Sequence, residues 1–144
     1  LLAAIKEKNV KDTFSIVTLL IGVNNQYRGR SSEEYRAELK QLLDIAVKYT
    51  GGKKENVFVL SIPDWGVTPF AEGKDRGKIA AEIDDYNRVK KEECEKLGVK
   101  YYDITGISRI NEPELIASDG LHPSGKMYKM WVDKIYSDIK STLK

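Results

Sequence analysis

The chain has 144 residues, 41% of them hydrophobic and 32% charged, with 24 basic side chains against 22 acidic and a net charge of +2. One domain of this length buries roughly 68–70% of its unfolded surface, and the near balance of signs speaks against both disorder and a strongly basic nucleic-acid surface. No apolar run approaches the ~20 residues of a membrane span, and a single cysteine, Cys94, excludes an intrachain disulfide and a multi-cysteine zinc site.

Leu1 to Lys6 opens the chain in a helical pattern with no Ser, Thr, Asp or Asn cap before it, so it reads as starting inside a helix, with any leader ahead of Leu1. Phe14 to Ile21 is apolar almost without alternation and rich in β-branched residues, which predicts a strand covered on both faces of a parallel sheet and ended by Gly22. Ser31 and Glu34 form a capping box, and Tyr35, Leu39, Leu42, Leu43, Ala46 and Val47 then recur at helical spacing until Gly51-Gly52. Val57 to Ile62 predicts a second buried strand, closed by Pro63.

A long loop through Trp65, Pro69 and Gly73 leads to a helix with Ile79, Ile83, Tyr86, Val89 and Leu97 on its apolar face. The charge run from Arg88 to Lys96 is assigned to its solvated face. Within that run Cys94 sits among Glu92, Glu93 and Glu95, a setting that raises a thiol pKa and marks a structural cysteine. Val99 to Asp103 predicts a short third strand, followed by an irregular stretch to Leu121. The last helix, from about Pro123, turns Met127, Met130, Trp131, Ile135, Ile139 and Leu143 toward the core.

Strand and helix alternate without repeat or linker, so residues 1–144 read as one α/β domain on a parallel sheet. In such sheets ligands bind outside the carboxyl ends of the strands. Gly22 to Asn25, Asp64-Trp65 and Asp103 to Thr105 then share one rim, and a return of the loop before the last helix adds Asp119 and His122. A first strand this apolar belongs inside a sheet, yet three strands in this order leave it at an edge, where unpaired backbone invites a partner. An upstream segment or another chain is the expected partner.

Asp119-Gly-Leu-His122-Pro-Ser124 holds the only histidine of the chain. Histidine moves protons near neutral pH, and a nearby carboxylate fixes its tautomer and stabilises the imidazolium. The pair reads as the base half of a nucleophilic site.

Ile21-Gly22-Val23-Asn24-Asn25 at a strand end, followed far downstream by Asp119-x-x-His122-Pro, resembles the SGNH, or GDSL-type, serine hydrolase family. Ser61-Ile-Pro-Asp-Trp-Gly66 is similar to the segment after the equivalent strand in many members. The resemblance implies a three-layer flavodoxin-like α/β fold, a parallel sheet flanked by helices. It implies Asn24 as amide donor to an oxyanion, His122 as general base and Asp119 as its orienting carboxylate, with no cofactor and no metal. Gly22, Asn25 and Trp65 are the expected substrate-binding positions. By themselves Asn24 also reads as a turn residue and Trp65 as a cap on the sheet end. Tyr27 and Arg28 are further candidates for substrate contact, and Asp64 reads as an Asx-turn residue.

The departure from the family is large. Its first two blocks, with the nucleophilic serine in a Gly-Asp-Ser turn and an oxyanion-hole glycine, have no match, and in members both precede the position where this sequence starts. The resemblance therefore implies the carboxy-terminal portion of a domain that is inactive alone. No Gly-x-Ser-x-Gly elbow replaces the serine, and Ser108, Ser118 and Ser124 are poorly placed for the role. The implied substrates are small-molecule esters, either acyl groups on carbohydrates or lipid-derived esters. The alternative is a non-catalytic ligand-binding or interaction module on the same fold.

Overall fold

In the computed structural model, which describes residues 1–144, three parallel strands lie in the order β1 (Val17–Leu19), β2 (Val57–Leu60), β3 (Lys100–Tyr102). Val17 pairs with Val57 and Leu19 with Val59 on one side of the central strand, and Phe58 with Lys100 and Leu60 with Tyr102 on the other. The helices are α1 (Leu2–Lys8), α2 (Val23–Tyr27), α3 (Ser32–Tyr49), α4 (Arg76–Leu97), α5 (Thr105–Ser108) and α6 (Gly125–Thr142).

Side chains alternate across the sheet, and β2 therefore feeds two cores. Val57 and Val59 join Tyr35, Leu39, Leu43 and Ala46 of α3 and Ile79, Ile83, Tyr86, Val89 and Cys94 of α4. Leu60 joins Ile104, Leu115 and Met127, Trp131 and Ile135 of α6. The result is the three-layer α/β arrangement expected from the sequence, with α3 and α4 on one face of the sheet and α6 on the other. Local signals set the helix ends. Ser31 Oγ accepts from Glu34 N at 3.1 Å while Glu34 Oε2 accepts from Ser31 N at 2.9 Å, a complete capping box. Asp75 and Ser124 cap α4 and α6 with their side chains alone, accepting from Lys78 N and Met127 N, and Gly98, at φ 79°, ends α4 in the left-handed region.

Three expectations are corrected. The apolar run from Phe14 to Ile21 is not covered on both faces: only Val17–Leu19 enter the ladder, at the sheet edge, and Phe14, Thr18 and Leu20 are exposed. Val17 and Leu19 pack against the core formed with α3 and α4, whereas Thr18, which points to the opposite face, stays exposed. The charge run of α4 is not wholly solvated, because Lys90 and Glu93 are buried. Glu93 accepts from Arg36 Nη1 at 2.6 Å and Lys96 Nζ at 2.7 Å, whereas Arg88 stays outside with Asp85 and Glu92. Leu143, placed in the core by periodicity, is exposed at the end of α6.

Cys94 fits its structural reading. It is buried, and burial first, with Glu93 and Glu95 adding, pushes its thiol up to about 12. No helix is long and apolar enough to cross a membrane.

Candidate active site

The carboxyl ends of the strands open into a cavity of about 460 Å³. Gly22 leaves β1 at φ 119° and starts α2, whose first turn carries Asn24. Gly22 has no room for a side chain, since a Cβ there would lie 2.7 Å from Ile62 Cδ1 and 2.9 Å from the Tyr35 ring.

The segment before α6 folds back to the same rim. Ala117 N donates to His122 O at 2.7 Å, Gly120 N to Ala117 O at 3.0 Å, and Ile116 and Pro123 form an antiparallel bridge. Gly120 O in turn accepts from Phe70 N at 3.0 Å, which ties this loop to the loop after β2.

Inside the loop, Asp119 Oδ1 accepts from the backbone N–H groups of His122 at 2.9 Å and Leu121 at 3.0 Å, and its Oδ2 faces His122 Nδ1 at 2.5 Å. The His122 and Leu121 backbone donors, then the imidazole, hold the Asp119 carboxyl down at about 2. An ionised carboxylate only accepts, so Nδ1 carries the hydrogen and Nε2 of the neutral ring is left to take a proton. That is the tautomer a general base requires.

Asn24, Trp65 and His122 all line the cavity, with an apolar wall that includes Val23, Ile62, Leu121 and Met127. Trp65 is held by its Nε1–H, which donates to Gln26 Oε1 at 2.7 Å, while Gln26 Nε2 donates to Glu82 Oε2 at 2.8 Å. Its ring meets Tyr27 edge-on at 5.4 Å and Phe70 at 6.0 Å. Tyr27 and Phe70 line the cavity as well. Phe70 and the bracing Gln26 were not singled out from the sequence, and no local pattern marks them: their roles arise from contact with Trp65 across the rim.

Several other expected positions do not reach the cavity, whereas Asp64 lines it with both carboxylate oxygens engaged. Asn25 turns away, its Nδ2 donating to Glu38 Oε2 at 2.7 Å, and Gly22 and Arg28 are absent from the lining. Asp64 makes an Asx turn, Oδ1 accepting from Gly66 N at 2.8 Å, and its Oδ2 takes Arg109 Nε at 2.8 Å, so neither oxygen is free. Asp103 braces the neighbouring turn by accepting from Thr105 N at 2.9 Å and Ser61 Oγ at 3.1 Å.

The sequence from Leu2 to Met130 matches the model of the GDSL-like Lipase/Acylhydrolase family. The chain belongs to this family. Among solved structures it resembles TesA (TM-score 0.62, 16% identity), covering 97% of this chain and 68% of that one. It also resembles LAE5, an α/β hydrolase enzyme from the metagenome of Lake Arreo, Spain (TM-score 0.71, 20% identity), over 99% of this chain and 67% of that one. A third likeness is to a variant of Axe2, an acetyl-xylooligosaccharide esterase from Geobacillus Stearmophilus (TM-score 0.69, 21% identity), over 96% and 65%. These likenesses establish the fold. The chain spans about two thirds of the length of each structure, and no curated protein matches it.

Two of the serines near the rim have their hydroxyls engaged. Ser108 Oγ is buried, donating to Thr105 O at 2.6 Å and accepting from Asp64 N at 2.8 Å. Ser124 Oγ donates to Glu114 O at 2.6 Å and caps α6. Neither is hydrogen-bonded to His122.

Proposed function

We propose that the cavity is the acyl-transfer site of a serine hydrolase acting on carboxylic esters, with His122 as general base, Asp119 as its orienting carboxylate and Asn24 as oxyanion donor. The supporting observation is that Asn24 and an imidazole held by Asp119 line one cavity. In this reading the nucleophilic serine lies outside residues 1–144 and enters along the open edge of β1. Its Oγ attacks the ester carbonyl carbon as the proton passes to His122 Nε2, and the Asn24 amide donates to the oxyanion that forms. Collapse expels the alkoxide, which takes the proton back from the imidazolium, and water repeats the two steps to release the acid.

The largely apolar lining suits a short acyl group or the apolar part of an ester. A sugar-borne acyl ester and a lipid-derived ester both meet this description.

A fluorophosphonate probe tests the assignment. Residues 1–144 alone are expected to remain unlabelled, whereas the gene product read through from upstream of Leu1 is expected to react at one serine. A longer product that stays unlabelled would reject the enzyme reading in favour of a binding module on the same fold. In the labelled protein, Asn24→Ala is expected to lower kcat by roughly 10²–10³-fold, with KM little changed, in a steady-state assay on a short-chain aryl ester. Equal loss of binding would instead place Asn24 in ground-state contact with substrate.

A further inference from the structure

Lys90 has no exposed surface and belongs to no ion pair with a carboxylate. Its Nζ donates to Ile21 O at 2.9 Å and to Leu60 O at 2.8 Å. The ladder between β1 and β2 ends at Leu19 and Val59, so the side chain bridges the two strands past their last paired residues. Ile21 directly precedes Gly22, and Asn24 follows in the first turn of α2. The Tyr35 hydroxyl also reaches Ile21 O, at 3.3 Å.

Holding an amine in this place is costly. Burial draws Lys90 down to about 7, and an apolar side chain of similar volume would fill the space without that penalty. Stability alone therefore does not account for a lysine between two backbone carbonyls at the rim of the cavity.

We propose that Lys90 is a positioning residue of the acyl-transfer site: by tying the Ile21 carbonyl to the Leu60 carbonyl it sets the Gly22 turn from which Asn24 reaches the cavity. This rests on the reading of Asn24 as oxyanion donor. The contact itself is open to a separate check.

The titratable side chains gathered in the same layer are Tyr35 of α3, Tyr86, Glu93 and Cys94 of α4 and Tyr101 of β3, with Arg36 of α3 paired to Glu93. Burial pushes the three tyrosines and the cysteine up; on Glu93 burial is outweighed by Lys96 and Arg36, which hold its carboxyl down. A transition near neutral pH in this layer is accordingly that of Lys90, and the exposed His122 ring is read separately from its own carbon-bound protons.

In the isotope-labelled chain of residues 1–144, the Gly22 amide and the Asn24 side-chain amide are expected to shift with the midpoint of Lys90 Nζ. Lys90→Met is expected to displace both signals while the Asp119–His122 hydrogen-bond signal stays in place. In the ester-hydrolysing protein the same substitution is expected to lower kcat by about tenfold or more, with KM within about twofold, as misplacement of a group at the reacting centre does.

A merely structural lysine would lower the unfolding midpoint and leave Asn24 and kcat unmoved, and that result would overturn the proposal. If the methionine variant fails to fold, the wild-type titration decides, because Gly22 and Asn24 signals indifferent to Lys90 contradict the clamp. Amide signals coupled to Lys90 in a protein without hydrolysis would support the clamp and reject the acyl-transfer reading instead.

Discussion

His122→Ala is expected to reduce kcat of the ester-hydrolysing protein by about 10⁴–10⁶-fold, the scale on which removal of a triad base acts when nucleophile and base work as a unit. The imidazole is the only side chain at the rim with a free ring nitrogen set by a carboxylate, so no neighbour can take over. Asp119→Asn is expected to cost about 10⁴-fold. Three hydrogens, on Leu121 N, His122 N and His122 Nδ1, converge on the Asp119 carboxylate, and a neutral amide would favour the other tautomer. Steady-state kinetics on a short-chain ester read both, with circular dichroism confirming the fold. Unchanged hydrolysis in His122→Ala would remove the base assignment.

The same geometry sets a pH dependence. The Asp119 carboxyl lies at about 2 in the fold against an ordinary 3.8. Since the folded value is the lower one, its contribution to loop order is complete above about pH 4 and disappears as the pH falls through 2. Carboxyl-carbon chemical shifts followed through that range are the corresponding measurement.

Gly22→Ala is the substitution expected to damage the fold and the site together. The backbone sits at φ 119°, which costs an L-residue roughly 1–3 kcal/mol. The new Cβ would also meet Ile62 Cδ1 at 2.7 Å and Tyr35 at 2.9 and 3.0 Å, adding roughly 1–3 kcal/mol of overpacking. Together the two effects predict a loss of about 2–6 kcal/mol, read from urea unfolding midpoints at unchanged m-value. Because α2 starts at this residue, relief of the clash would move Asn24 as well. A change under about 0.5 kcal/mol would show that the turn gives way without cost.

Much of this was legible locally. Ser31 and Glu34 announced the start of α3, Gly51-Gly52 its end, and Val57–Leu60 read as a buried strand because all four residues are apolar and buried. Asp119 and His122 could be paired on paper because a three-residue loop contact is decided by nearby chain. Other features had no local signature. Lys90 and Glu93 sit in a charge run that looks like a solvated helix face, yet Lys90 is drawn in by the Ile21 and Leu60 carbonyls and Glu93 by Arg36 of α3. Asn25 stands beside Asn24 in a motif that suits both for the site, but the helical turn of α2 sends its amide to Glu38.

The amino-acid sequence by itself determined the alternation of strand and helix, the caps, the family motifs and the identity of the Asp–His pair. All of these depend on residues a few positions apart, where backbone geometry and side-chain reach leave few choices. Tertiary structure alone decided that Asn24, Trp65 and His122 line one cavity, that Gln26 and Phe70 hold Trp65 there, and that a lysine bridges the ends of β1 and β2. Those arrangements depend on how distant segments cross at the sheet rim, a matter of packing between elements that no local pattern encodes.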